Sequence, residues 1–234
     1  MDTPHAATRR HSLALSRARD ALVLRLLEAH PITAAMLVTL GWFPTKGKAL
    51  KRLRRLVTRK RVRLVGAVSR KPGRPEHVYC RWRPKPDQLL HEVELTELCL
   101  RLHAGRILRG PQLEGSDLRP DAELAINGET CYLELDRGSM GYRQLRGRFR
   151  AYEGAGRLVL WVCPTPERLD GLRRQAQGIG RLALFATFAE AAIDPHRPIW
   201  IDCRGERAAL PRHGAGENAG DSDPTCGRTC RAAD

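Results

Sequence analysis

The chain has 234 residues, 42% of them hydrophobic, and 41 Lys/Arg against 26 Asp/Glu give a formal net charge of +15. That length builds one large domain or two small ones with real cores. No run of about 18 apolar residues occurs, so no membrane-spanning helix is expected. The stretch MDTPHAATRRHSLALSRARD lacks the apolar core of a secretory signal, and a cytoplasmic, nucleoid-associated protein is expected.

The charge is uneven. Residues 1–85 hold 21 Lys/Arg and 4 Asp/Glu, which leaves the remainder close to neutral. A polyanionic partner is therefore expected of the N-terminal third, DNA rather than a membrane. Residues 1–15 are expected to be disordered. From Ser16, SRARDALVLRLLEAH carries Ala18, Ala21, Leu22, Leu24, Leu26 and Leu27 on one side, a helical pattern that Pro31 ends. ITAAMLVTLGW reads as a short second helix with Thr33 as its cap. PTKGKALKRLRRLVTRKR is the third, with Ala49, Leu50, Leu53, Leu56 and Val57 on the apolar face and a dense basic face opposite. Two apolar runs, around Val62–Val65 and His77–Trp82, then flank a turn rich in Lys, Pro, Gly and Arg.

Three helices followed by a basic hairpin is the order of a winged helix-turn-helix, expected over residues 16–85. A helix fits the major groove and a basic wing reaches a neighbouring phosphate or the minor groove. Thr45, Lys46, Lys48, Lys51 and Arg52 lie towards the N-terminal half of the third helix, where base contacts arise. Arg55, Arg59, Lys60, Arg70, Lys71 and Arg74 are expected on phosphates. The competing reading is a solvated basic helix on a protein-binding winged helix.

RPKPDQ, from Arg83 to Gln88, is a Pro-punctuated boundary. Beyond it come a helix at about 88–103, a short strand in GRILRG, and two strands, DAELAIN and TCYLELDRG, joined at Asn127-Gly128. GYRQLRGRFRAYEG reads as a helix, RLVLWVC as a central strand and TPERLDGLRRQAQGI as a helix. RLALFATF and RPIWIDC read as further strands. The order is α-β-β-β-α-β, an α/β (α+β) domain expected over residues 88–203, with a disordered tail over 204–234.

Glu134 and Asp136 are two apart on a strand, so both leave one face, and Asp121 on the neighbouring strand can approach them. Three hard oxygen donors suit Mg²⁺. The same acids beside a row of arginines can instead form surface ion pairs of little energy. His91 and Glu94 share a helix face and could add to the site, although a packed or solvated His91 is the preferred reading.

Pro120-Asp121 followed by Glu134-Leu135-Asp136, in this element order, resembles the PD-(D/E)XK nuclease fold, with Asp at the position where Lys is usual. Taken with the N-terminal module, HEVEL, RPDAEL, LELDRGSM and the pair Arg148 and Tyr152 are similar to the replication-relaxation family, over about residues 16–190. That family consists of small bacterial and mobile-element proteins tied to plasmid replication and relaxation. The resemblance implies an acidic site at Asp121, Glu134 and Asp136, holding Mg²⁺, and a turn at Arg137, Gly138 and Ser139. It places Arg148 where Lys is common; Arg stays charged and serves a scissile phosphate rather than acting as a base. The function implied is DNA binding in replication or relaxation, with a Mg²⁺-dependent endonuclease or nickase activity on a nuclease-like domain. The alternative is a non-catalytic regulator whose second domain forms a homodimer or binds a partner.

Cys99, Cys131, Cys163 and Cys203 sit singly in apolar segments and read as small buried hydrophobes. Cys226 and Cys230, with His213, lack two well-spaced ligands, so no zinc is expected.

Overall fold

Pro4 opens the first helix, α1 (Pro4–Ala29), where its missing N–H costs nothing. This is a computed structural model, describing residues 4–69, 74–102, 106–109, 113, 118–126, 128–177 and 182–211. The helix begins upstream of Ser16, where the apolar periodicity starts. After Pro31, Ile32–Thr33 form a two-residue strand, β1, too short for any alternation to announce it. Thr33 then caps α2 (Ala34–Thr39), its hydroxyl accepting from Met36 N at 3.4 Å. Thr45 does the same for α3 (Lys46–Thr58), accepting from Lys48 N at 3.3 Å.

Strands β2 (Arg63–Val68) and β3 (Glu76–Cys80) pair antiparallel, and β1 joins β3 on its other edge, with Ile32 opposite Tyr79. Arg70 and Lys71, expected on the wing, lie outside the described residues. Val23 and Leu27 of α1, Leu37 of α2, Leu53 of α3 and Val78 of β3 form a buried core.

A single 3₁₀ turn, Pro86–Gln88, leads into α4 (Leu89–Arg101). This helix serves two cores. Leu89 and Val93 complete the N-terminal core, whereas Leu95, Leu98 and Cys99 enter the next one. Gly66 on β2 makes the first contact possible, because a Cβ there would stand 2.6 Å from the Leu89 side chain.

The second core is built on seven strands in simple sequential order: β4 (Arg106–Arg109), β5 (Ala122–Ile126), β6 (Glu129–Leu135), β7 (Val159–Cys163), β8 (Ala183–Thr187), β9 (Trp200–Asp202) and β10 (Arg207–Ala208). Pairing is antiparallel from β4 to β6, parallel from β6 to β8, and antiparallel again to β10. The parallel steps need crossovers, supplied by α5 (Tyr142–Ala155) and α6 (Pro166–Ala176). Both pack on one face through Leu145, Phe149, Tyr152, Leu169 and Leu172. The opposite face is covered by α4 and by α7 (Phe188–Ile193), a short helix that sequence periodicity does not resolve. Ile126 faces Glu129 across a two-residue connection, in which Gly128 has φ of 83°; Asn127 lies outside the described residues.

This mixed α/β domain, with helices on both faces of a multi-stranded sheet, is consistent with the restriction-endonuclease-like core expected from the element order. Beyond Arg204, where apolar patterning fades, Asp202 Oδ1 accepts from the backbone N–H of Arg204, Gly205 and Glu206 and turns the chain back into β10; Leu210 is buried. Cys99, Cys131 and Cys163 are free and buried, and burial pushes their thiols up to about 11, 12 and 12. Cys226, Cys230 and His213 lie outside the described residues. No helix among the described residues is long and apolar enough to cross a membrane.

One buried cation joins the two cores. Arg109, fully buried on edge strand β4, donates to Thr96 Oγ1 at 2.7 Å, to Glu92 O at 3.0 Å and to the Glu92 carboxylate. It also meets His30 Nδ1 at 3.5 Å. Burial, and then the Arg109 charge, lower the His30 pKa to about 3 and keep the ring neutral, so its lone pair can accept.

Candidate functional site

The β5–β6 register decides where the acids go. Ala122 pairs with Leu133, so Asp121, one residue earlier, comes opposite Glu134. Cys131, Leu133 and Leu135 face the α4 side, which turns Tyr132 and Glu134 towards α5. Asp136 follows on the Glu134 side, its N–H donating to Val162 O of β7 at 2.8 Å. The carboxylates therefore meet at the end of β6, in a cleft of about 690 Å³ lined also by His91, Arg137, Ser139 and Arg148.

Each acid has its own partner. Glu134 is buried, and its Oε1 accepts from Arg148 Nη2 at 2.5 Å and from the Tyr152 hydroxyl. Burial, with the nearby charge of Asp121, raises the Glu134 carboxyl well above its ordinary range despite Arg148 and Tyr152. Asp121 behaves oppositely. Its burial favours the neutral acid, but the hydrogen bond and charge of His91, the Leu135 N–H at 2.8 Å and Arg148 hold it below the usual range. Asp121 is thus the first of the pair to lose its proton as pH rises, and Glu134 the one that keeps it longer.

His91 Nε2 lies 3.3 Å from Asp121 Oδ2 and 3.2 Å from Leu135 O. Burial would lower its pKa, yet the Asp121 bond and charge prevail and raise it. The histidine thus lines the cleft and ties α4 to the acids. Glu94, its partner on the same helix face, instead meets Arg137 at 3.6 Å.

Asp136 is turned to a different task. Its Oδ1 accepts from Gly138 N at 3.0 Å and its Oδ2 from Arg168 Nε at 2.5 Å. Arg168 also donates to Met140 O at 2.6 Å, which fixes the loop carrying Arg137 and Ser139. Gly138, at φ of 80°, supplies the left-handed residue that this turn needs. Arg168, on α6, is a site residue that sequence spacing does not reveal.

Arg119, just before Pro120-Asp121, is a second backbone special. Its φ of 45° is rare for a side-chain-bearing residue, and its carbonyl accepts from Arg148 Nη2 at 3.1 Å. Arg148 therefore holds both the turn entering Asp121 and the Glu134 carboxylate.

Asp121 and Glu134 converge, whereas both oxygens of Asp136 are engaged elsewhere. Among the described residues no group of three or more His, Cys, Asp or Glu is placed to hold a metal ion. Mg²⁺ is commonly bound by one or two carboxylates plus water and substrate phosphate. The chemistry of Asp121 and Glu134 fits that smaller donor set.

The other residues singled out by sequence lie on α3 and its surroundings. Ala49, Leu53 and Leu56 are buried, and Thr45, Lys46, Lys48, Lys51, Arg54, Arg55 and Arg59 are exposed. Three basic residues have internal partners: Lys46 meets Glu76 of β3 at 2.5 Å, Arg52 forms a two-pronged pair with Asp20 of α1, and Arg54 donates to the Tyr79 hydroxyl. Lys48, Lys51, Arg55 and Arg59 have no carboxylate partner among the described residues. Arg74 is exposed at the base of the β2–β3 connection.

The Replication-relaxation family model matches residues 24–157, more than half of the chain, spanning α3, the hairpin, α4, the three acids and α5. No curated protein and no solved structure matches the chain. The chain belongs to the replication-relaxation family.

Proposed function

We propose that this replication-relaxation protein binds DNA and acts in plasmid or mobile-element replication and relaxation. In this reading residues 16–85 work as a winged helix-turn-helix, and residues 88–203 form a PD-(D/E)XK-like module. The observation that carries it is α3, whose apolar face is buried while Lys48, Lys51, Arg55 and Arg59 are exposed without a counter-charge among the described residues. Lys48 and Lys51, nearer the N-terminus of the helix, reach base edges; Arg55 and Arg59 hold phosphates. Lys46 and Arg52 position the helix through Glu76 and Asp20. Arg70, Lys71 and Arg74 would contact the neighbouring backbone in this reading. Replacing Lys48, Lys51 and Arg55 by Ala should lower duplex affinity and flatten its dependence on salt by about 2.7 in log–log slope. Unchanged affinity and slope would sink this assignment.

A second reading concerns the cleft and is favoured by the Asp121–Glu134 pair: metal-assisted cleavage or nicking of the DNA backbone. Asp121 and Glu134 would hold Mg²⁺. When bound, the ion polarises a phosphate and supplies hydroxide. Arg148 balances charge on the scissile phosphate; as an arginine it does not serve as the base. Asp136 acts through Arg168 by fixing the loop that bears Arg137 and Ser139. The competing class is a regulator without chemistry, whose second module mediates dimerisation or partner binding. Supercoiled plasmid incubated with Mg²⁺ or Mn²⁺ separates the two. Nicked or linear product from the parent, absent with Glu134→Ala, supports the nuclease. A gel shift with intact plasmid supports the regulator.

A further inference from the structure

The row of arginines that follows the acids is not absorbed by the cleft. Only Arg148 turns inward. Arg143, Arg146 and Arg150 are exposed on the face of α5 opposite the buried Leu145, Phe149 and Tyr152. Spacings of three and four residues align them in one row.

Several other arginines of this domain are paired. Arg101 meets Glu97 at 3.1 Å, Arg157 meets Glu123 at 3.6 Å, and Arg173 meets Asp170 at 3.4 Å. Among the described residues Arg143, Arg146 and Arg150 have no such carboxylate. Like charges at this spacing destabilise a helix. The first turn of α5 contains no acid, so Arg143 also faces the positive end of the helix dipole. The row works against the helix that carries it, and an external anion would offset both costs.

An aromatic ring beside the row identifies the anion. Tyr142 is 40% exposed and sits one turn before Arg146. The Arg168 guanidinium lies 4.9 Å from its ring centroid, and its hydroxyl occupies the space that a Cβ at Gly171 would need. The ring is thus held in place while part of it remains open. A cationic track with an exposed aromatic ring suits single-stranded nucleic acid, whose bases are free to stack. A duplex presents no such free base face. The same helix supplies Leu145 and Arg148 to the cleft wall.

We propose that α5 is a landing surface for single-stranded DNA: Arg143, Arg146 and Arg150 hold backbone phosphates, Tyr142 stacks on a base, and the strand continues into the adjoining cleft. This rests on the reading of the chain as a DNA-binding protein, but on none of the residues of α3.

Fluorescence anisotropy of the full chain with a labelled oligothymidylate and a labelled duplex, over a salt series, tests it. The Arg143→Ala/Arg146→Ala/Arg150→Ala variant should bind oligothymidylate at least about tenfold more weakly, with a salt slope shallower by about 2, because each phosphate contact contributes about 0.7. Its duplex affinity should be retained, and its melting temperature should equal or exceed that of the parent, since repulsion is relieved. Tyr142→Ala should lose about tenfold on oligothymidylate, whereas Tyr142→Phe should not. Oligothymidylate binding that is absent in the parent, unchanged in the triple variant, or lost in step with duplex binding overturns the proposal. The Lys48, Lys51 and Arg55 variant separates the two surfaces. It should lose duplex and keep oligothymidylate; undiminished duplex binding would fault α3 alone.

Discussion

The chain uses charge in opposite ways in its two halves. On α3 the charges are of one sign and mostly exposed, and Lys48, Lys51, Arg55 and Arg59 have no carboxylate partner among the described residues. Around β6 they are of both signs, buried or half-buried, and matched one to one: Glu134 with Arg148, Asp136 with Arg168, Asp121 with His91. Exposed charges of one sign contribute little to folding and await a counter-ion from outside. Buried charges of both signs fix geometry, and removing one partner leaves the other stranded. A substitution in the first region should therefore change affinity, and one in the second should change stability.

Glu134→Ala is expected to break this contrast most sharply if it is wrong. It strands Arg148 and the Tyr152 hydroxyl, and should cost about 3 kcal/mol in chemical denaturation; an unchanged midpoint would mean that the pair is not held as described. Arg109→Met comes next. It takes the counter-charge from the Glu92 carboxylate and one donor from Thr96 Oγ1 where α4 joins the two cores, and should cost about 2 kcal/mol. Because α4 belongs to both cores, a single unfolding transition should be kept; a split into two would show that the modules unfold independently.

A pH series sharpens the contrast within the cleft. The His91 pKa is raised in the fold from 6.5, so its contribution is complete below 6.5 and is lost as pH rises through the raised value. Asp121, lowered in the fold, contributes above the ordinary carboxylate range and loses that contribution only in stronger acid. Denaturation of parent and His91→Gln should thus converge as pH rises above neutrality. Parallel curves would remove the histidine from the pair. The smallest effect is expected within α3 itself. Arg52→Ala, which releases Asp20, should cost up to about 1 kcal/mol of stability, while Arg55→Ala should leave stability unchanged and weaken DNA binding.

Much of the N-terminal module is legible from spacing. Ala49, Leu53 and Leu56 fall on one helical face, and the basic residues fall on the other, because a 3.6-residue period needs no knowledge of the partner surface. The pairing of β5 with β6 is equally local, since Asn127-Gly128 allows only a short connection and sets the register. What escaped is short or distant. β1 has two residues, and α7 has a single apolar turn or so, so neither shows a period. Spacing suggested that Asp136 would join Asp121 and Glu134; the structure pairs it with Arg168, a residue 32 positions away. His91 read more readily as a packed or solvated histidine, and its bond to Asp121 exists only because α4 crosses the end of β6.

The sequence by itself determined the order of elements, the basic face of α3, the placing of Asp121 beside Glu134 of the neighbouring strand, and the family. All of these follow from local periodicity, turn chemistry or motif. Only the tertiary structure decided which acid loses its proton first, which cation each acid meets, and that α4 and Arg109 bind both cores together. Those outcomes depend on burial and on distances between remote segments, which packing of the whole chain sets and no local pattern encodes.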